Sequence, residues 1–313
     1  MKITVKRYDE SIRNAWNDFN KNAVNSLFMF DRNFMEYHKD RFVDYSLVLY
    51  DDNGICAILP ASLHGTELRS HGGLTYGGFI VNSGMKQSKM NACFDATLEY
   101  LRNNRVSKVM YKAIPYFYHS LPAQEDIYSL YRVNAKILKT EASTLVDFEH
   151  PIKLPKGRKA QISRANREGV FVMESSDFDT FIELENSVLQ ERHHVKAVHT
   201  GKELYYLKGL FPNNIKLYVA YHDTRMIAGA LIFIYDNVIH TQYLSSDETG
   251  RKLGALDLTI STIMDEYKDK VRYLDFGIST EDSGKVLNEG LISQKESFGG
   301  RTVVYQTWEL VIK

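Results

Sequence analysis

One ordered run of elements occurs twice in the 313 residues, roughly 170 positions apart, and no single motif constrains the fold as much. The run is a hairpin, a glycine-bearing loop, a helix and a strand. In the first half the apolar runs Tyr45–Tyr50 and Ile55–Leu63 flank Asn53-Gly54, a dipeptide that supplies the positive φ angles of a tight turn. The glycine-rich stretch Ser70–Phe79 follows, then a helical Met85–Asn103 and a strand over Val106–Ile114. In the second half, strands over Ile215–Tyr221, Met226–Tyr235 and Val238–Leu244 lead into a loop, Ser245–Gly254, a helix, Ala255–Tyr267, and a strand, Val271–Phe276. Helices over 9–23, 32–39, 123–134, 158–167 and 178–190 and strands over 137–148 and 302–312 complete the reading. A repeat of whole elements points to a duplicated domain rather than a solenoid, whose period would be about 20–50 residues. The expectation is an α/β chain (α+β mixed sheets) in two tandem domains, each a mainly antiparallel mixed sheet flanked by helices. The two prolines of His150–Pro155 interrupt regular structure and place the boundary there, giving domains 1–150 and 151–313.

Composition removes several classes. Lys+Arg and Asp+Glu both number 39, so the formal net charge is zero and long-range attraction to DNA or an anionic membrane is not expected. No apolar run approaches the ~20 residues of a membrane span, and the N-terminus has no signal-peptide core, so the expected location is cytoplasmic. Cys56 and Cys93 have no metal-ligand spacing and read as core thiols.

The strongest local signal for chemistry is the unit Val238–Tyr267. Its loop, Asp247–Ala255, runs straight into an amphipathic helix; glycines allow close backbone approach, and the first N–H groups of a helix attract anions. That suits a pyrophosphate, with Arg251 and Lys252 adding charge, although glycines that merely make the turns would look the same. Arg251-x-x-Gly254 matches half of Arg/Gln-x-x-Gly-x-Gly/Ala, the acyl-CoA loop of the GNAT (Gcn5-related N-acetyltransferase) enzymes; Leu256 stands where that pattern has its last small residue.

Downstream, Tyr273-Leu-Asp-Phe-Gly-Ile-Ser-Thr-Glu281, Gly284, Leu287-Asn288, Gly290-Leu291 and Gln294–Gly300 resemble the carboxy-terminal half of GNAT acyltransferases related to Fem-type ligases, a group associated with bacterial surface polysaccharides. Phe30–Tyr37, Asp40–Phe42 and Ser70–Gly78 have the look of the same group, so the resemblance spans nearly the whole chain. It implies that the fourth and fifth strands of the second lobe, Val238–Leu244 and Val271–Phe276, splay to admit the thioester arm of acetyl-CoA or another acyl-CoA. The donor set it implies is Leu244, Ser245, Arg251, Lys252, Leu253, Gly254 and Ala255, and Tyr243, Asp275 and His240 would face the reaction. The first-lobe glycine loop, with His71 and Tyr76, lacks the acyl-CoA pattern, so that lobe is expected to be degenerate.

Two charged groups are candidates for holding the acceptor. Glu191-Arg192-His193-His194 with His199 is dense in titratable groups, and imidazole suits proton transfer near neutral pH; histidines closing a helix on the surface are the plainer account. Arg192, His194 and His199 therefore count as acceptor-site candidates, with no metal expected, since no carboxylate or cysteine cluster completes a ligand set. Lys295-Glu296 could bind or deprotonate an acceptor, or be a structural pair. The basic run Lys153–Arg167 reads equally as a solvated helix face or as a contact for phosphates of a nucleotide sugar or tRNA.

Three readings stay open. The first is an N-acyltransferase moving an acyl group from acyl-CoA to a small-molecule amine, such as an amino sugar, by direct attack. The second is an aminoacyl-tRNA-dependent transferase of Fem type, against which stand the neutral charge and the absence of a heptad run for a coiled-coil arm. The third is a non-catalytic binding protein.

Overall fold

A computed structural model describes residues 2–193 and 195–312, without the side chains of Arg192 and His193. The chain forms two compact units: one of residues 1–142, 280–286 and 304–313, the other of 143–279 and 287–303. A cut at residue 150 would leave 280–286 and 304–313 in the second half, whereas by packing both belong to the first unit.

In the first unit the Asn53-Gly54 hairpin joins Leu47–Asp51 to Gly54–Leu59, antiparallel, with Leu47 opposite Leu59. Pro60 ends the second strand, as a residue without an amide hydrogen must. Thr4–Arg7 and Ile80–Val81 complete this sheet. Strand Lys108–Lys112 lies between Glu67–Arg69, parallel, and the C-terminal strand, whose Thr307–Val311 run antiparallel to it. The helix Gln87–Asn103 packs its Met90, Cys93, Phe94 and Leu101 into the same core.

The second unit holds the candidate site. Its elements, in chain order, are β1 (Lys136–Asp147, from Ser143 onward in this unit), α1 (Lys156–Arg167), β2 (Phe171–Ser175), α2 (Phe178–His193), α3 (Gly201–Leu210) and β3 (Ile215–His222). They continue with β4 (Arg225–Ile234), β5 (Val238–Ser246), α4 (Glu248–Leu253), α5 (Ala255–Tyr267), β6 (Tyr273–Ile278) and α6 (Glu289–Glu296). The sheet order is β2-β3-β4-β5-β6-β1, antiparallel except for β5 and β6. Ala230, Ile232, Ile239, Leu274 and Phe276 pack against Ile260 and Ile263 of α5, the 3.6-residue stripe meeting the two-residue alternation of the strands.

Four elements of the second unit depart from the sequence expectation. β2, α3 and α6 were not anticipated; α3 carries a complete capping box, Thr200 with Glu203, and α6 is opened by Asn288 accepting from Leu291 N–H. The stretch expected as an open loop, Ser245–Gly254, is largely the helix α4. Asp247 caps it by accepting from Gly250 N–H at 2.7 Å, and Glu248 pairs with Lys252 one turn on. Gly254 then turns the chain into α5 with φ +76°, and a Cβ there would lie 2.7 Å from the Gln161 carbonyl oxygen of α1.

Candidate active site between two diverging strands

β5 and β6 run parallel but pair over only three positions, Val238 with Tyr273, Ile239 with Leu274 and His240 with Asp275. Both strands continue beyond that point, to Ser246 and Ile278. On β5 the cause is a bulge: Leu231 faces Tyr243 and Ile232 faces Thr241, so Gln242 has no partner on β4 and the strand twists away. On β6 the pairing with β1 slips after Asp275, where Gly277 adopts φ +71°.

The last paired step is locked by buried polar groups. Asp275 is fully buried; it accepts from His240 Nδ1 at 3.0 Å, from Ser143 Oγ at 2.9 Å and from Gly277 N–H at 3.0 Å. A buried carboxylate with three donors is satisfied, and it ties β1, β5 and β6 together where the gap opens.

The gap encloses about 170 Å³, lined by Leu244 and Ser246 of β5, Phe276 of β6, Val188 of α2, Leu256 and Ile260 of α5 and Lys295 of α6. Lys295 Nζ donates to the carbonyl oxygens of Gly277 at 2.9 Å and Ile278 at 2.6 Å. Burial lowers its pKa to about 8 while the charge of Asp275 opposes the fall, so at neutral pH an ammonium faces the cavity wall. Ser246, Arg251, Leu256 and Gln294 also line an open cleft of about 550 Å³ that reaches Gly157 and Gln161 of α1. Arg251 Nη1 donates to Ser246 O at 2.9 Å, which anchors the guanidinium where both spaces meet.

A second polar group lies on β5 beyond the bulge. The Tyr243 hydroxyl is 2.7 Å from Nδ1 of the buried His199, and burial pushes the phenol up to about 12. Near Tyr243 is Glu185 of α2, only 5% exposed, whose carboxyl is raised to about 7 by burial against a smaller opposing effect of Ser245.

Of the sequence candidates, Leu244, Arg251 and Lys295 line the gap, His240 is joined to Asp275, and His199 to Tyr243. Ser245 is buried beside Glu185. Lys252 is exposed and paired with Glu248, and Leu253, Gly254 and Ala255 build the α4–α5 corner rather than the lining. Glu296 makes no pair with Lys295: adjacent helical residues point apart, and Glu296 is exposed, accepting from Thr302 at 3.4 Å. The Arg192 side chain and His194 lie outside the described residues. Arg158 of the basic run is turned inward, paired with Asp257, donating to Ser297 and lying 4.0 Å over the Phe298 ring. Glu185, Ser143 and Phe276 were missed. Glu185 had a signal: it falls at the next position of the buried stripe Phe178, Phe181, Ile182, where a carboxylate is out of place.

A metal-like grouping among the described residues, Asp147, Glu149 and His150, is exposed in part and already meets the Arg272 guanidinium at both carboxylates.

Two parallel strands that part over a gap are a feature of the GNAT fold, and residues 156–283, within the second unit, match the family model Acetyltransf_6, an acetyltransferase (GNAT) domain. The match makes this part of the chain an acyltransferase-type domain, and the fold of the chain is related to that of the Fem-type protein FemX. Among solved structures, FemX superposes with a TM-score of 0.69 at 11% identity over 99% of this chain and 97% of that one. A tandem GNAT protein from the clavulanic acid biosynthesis pathway gives 0.54 at 11% over 100% and 99%. L-PGS from Bacillus licheniformis gives 0.58 at 14% over 84% and 82%. These likenesses establish the tandem mixed-sheet fold. No curated protein matches the sequence.

Proposed function

We propose that the second unit transfers an acyl group from acyl-CoA to the amine of a small molecule, an amino sugar being the acceptor class the sequence resemblance favours. The observation that carries this reading is the gap between β5 and β6: apolar walls from Leu244, Phe276 and Ile260 suit an acyl-pantetheine arm, and a cation stands at its edge. The thioester carbonyl laid against Lys295 would meet an ammonium as negative charge develops on its oxygen. The open cleft past Arg251 offers room and positive charge for the donor's phosphates. Tyr243, kept as a phenol at neutral pH, is a proton source for the departing thiolate. The amine attacks the thioester directly, so the chain needs no nucleophile of its own.

Thermal shift with acetyl-CoA, longer acyl-CoAs and free CoA tests it. A ligand at ~100 times its dissociation constant adds about 2.7 kcal/mol to the folded state, a visible rise in midpoint. Leu244→Trp, which fills the gap, is expected to abolish the rise, and Arg251→Ala to weaken it. The absence of any rise in wild type would count against acyl-CoA.

The second reading, transfer from aminoacyl-tRNA, draws on the whole-chain fold likeness to FemX. The inward pairing of Arg158 removes one cation from its proposed phosphate contact. Retardation of charged tRNA in a low-salt gel shift would favour this reading over the first.

A further inference from the structure

We infer that Glu185 is the proton acceptor for the attacking amine, a role that rests on the acyl-transfer reading above. The case begins with placement. Phe178, Phe181 and Ile182 are buried on the inner face of α2, and Glu185 continues that stripe with 5% exposure. An apolar side chain there would be the stabilising choice, because a buried carboxylate without a cation loses its hydration uncompensated. One turn further along the helix, Val188 lines the gap between the strands, so the face that carries Glu185 is the face that reaches the cavity.

The groups around it fit the role. From β5, Ser245 and Tyr243 face it, and His199 stands behind the Tyr243 hydroxyl. The influences on its titration are burial and the Ser245 hydroxyl, and among the described residues no salt bridge holds it ionised. Burial brings the carboxyl to about 7, where one group can both take a proton from an ammonium and give it up again. Asp275 is unsuited to that work, since three hydrogen bonds consume its oxygens. Glu296 is exposed and bonded elsewhere.

The step balances simply. The amine nitrogen bonds to the thioester carbonyl carbon, and its proton passes to the Glu185 carboxylate. The carbon–sulfur bond then breaks, and the CoA thiolate leaves, taking a proton from the Tyr243 hydroxyl, which regains one from solvent. The products are an amide and free CoA, with Glu185 reset by losing its proton to solvent.

Two measurements test this. Carboxyl-carbon NMR on glutamate-labelled protein, with Glu185→Gln for assignment, needs no acceptor; a midpoint near 7 is expected, and one near the ordinary 4.3 would overturn the inference. Thiol release from acetyl-CoA is then followed with water and a panel of primary amines, including amino sugars, as acceptors. Glu185→Gln should bind acetyl-CoA as wild type does in calorimetry, keep KM for the amine within about threefold and lose ~100-fold in kcat, together with the acid limb of the rate profile. Glu185→Asp should retain that limb at a reduced rate. Binding of acetyl-CoA with an unchanged rate and profile in Glu185→Gln overturns the inference alone. Failure of wild type to bind acetyl-CoA overturns the acyl-CoA reading and this inference with it.

Discussion

A carboxyl on the buried face of a helix is tolerated by a core mainly in its protonated form, and this makes Glu185 a stability term as well as a candidate base. Its pKa is raised in the folded state, to about 7, so between the unfolded value and 7 the native protein binds more protons than the unfolded chain. Stability therefore falls as pH rises through that window. Glu185→Gln is expected to match wild type near pH 4 and to be more stable by about 3 kcal/mol at pH 8, read from urea denaturation at both pH values. Equal stability at pH 8 would mean that the carboxyl is hydrated in solution. Lys295 has the opposite sign: its pKa is lowered to about 8, so its contribution is least favourable below 8 and improves as pH rises toward the free lysine value. Lys295 lines the gap and Glu185 lies one turn from Val188, which lines it too, so the fold holds both groups near the gap at a cost in stability, as sites do and cores do not.

Among the elements, the diverging strands and the helices behind them determine what the gap can hold. The bulge at Gln242 and the left-handed Gly277 each sit two residues past the locked pair His240–Asp275, so the strands are paired up to the lock and apart after it. Behind the cleft, Arg158 joins α1 to α5 through Asp257 and to the end of α6 through Ser297. Both charged side chains are largely shielded from solvent, at 11% and 16% exposure. Arg158→Ala leaves Asp257 without its partner, and a loss of about 3 kcal/mol is expected in chemical denaturation. Arg158→Lys should recover only part of it, because an ammonium cannot reach Asp257, Ser297 and the Gln294 carbonyl together. A loss below about 0.5 kcal/mol would return this arginine to the solvated face expected from the sequence.

For the molecule as a whole, the C-terminal strand belongs to the unit that begins the chain. Thr307–Val311 pair with Lys112–Lys108, and Trp308 and Leu310 enter the first unit's core. A chain ended at residue 303, or residues 1–150 made alone, lacks that strand. Both are expected to lose cooperative unfolding of the first unit, seen as rapid proteolysis within 1–142, whereas adding a 304–313 peptide should partly restore protection. Unchanged protection would show that the first unit closes without it.

Much of this architecture was legible because it is written in local patterns. The hairpin at Asn53-Gly54, the strands of residues 215–246 and the helix Ala255–Tyr267 each follow from turn chemistry or a repeated spacing of apolar residues within one segment. The family resemblance was legible for the same reason, since it rests on contiguous runs such as Tyr273–Glu281. The α4 helix was hidden because its cap, Asp247, sits among glycines that also suit a loop, and the choice depends on α1 packing against Gly254. What the tertiary structure alone decided is the environment of each charge. Lys295 and Glu296 are neighbours in sequence and opposite in surroundings, and the apolar stripe that carries Glu185 marks it as out of place without saying that Tyr243 and Ser245 are folded over it. Burial, and with it the free energy of holding a charge, is set by groups far away in the chain, so the sequence by itself determined the scaffold and its superfamily while folding determined which residues carry the chemistry.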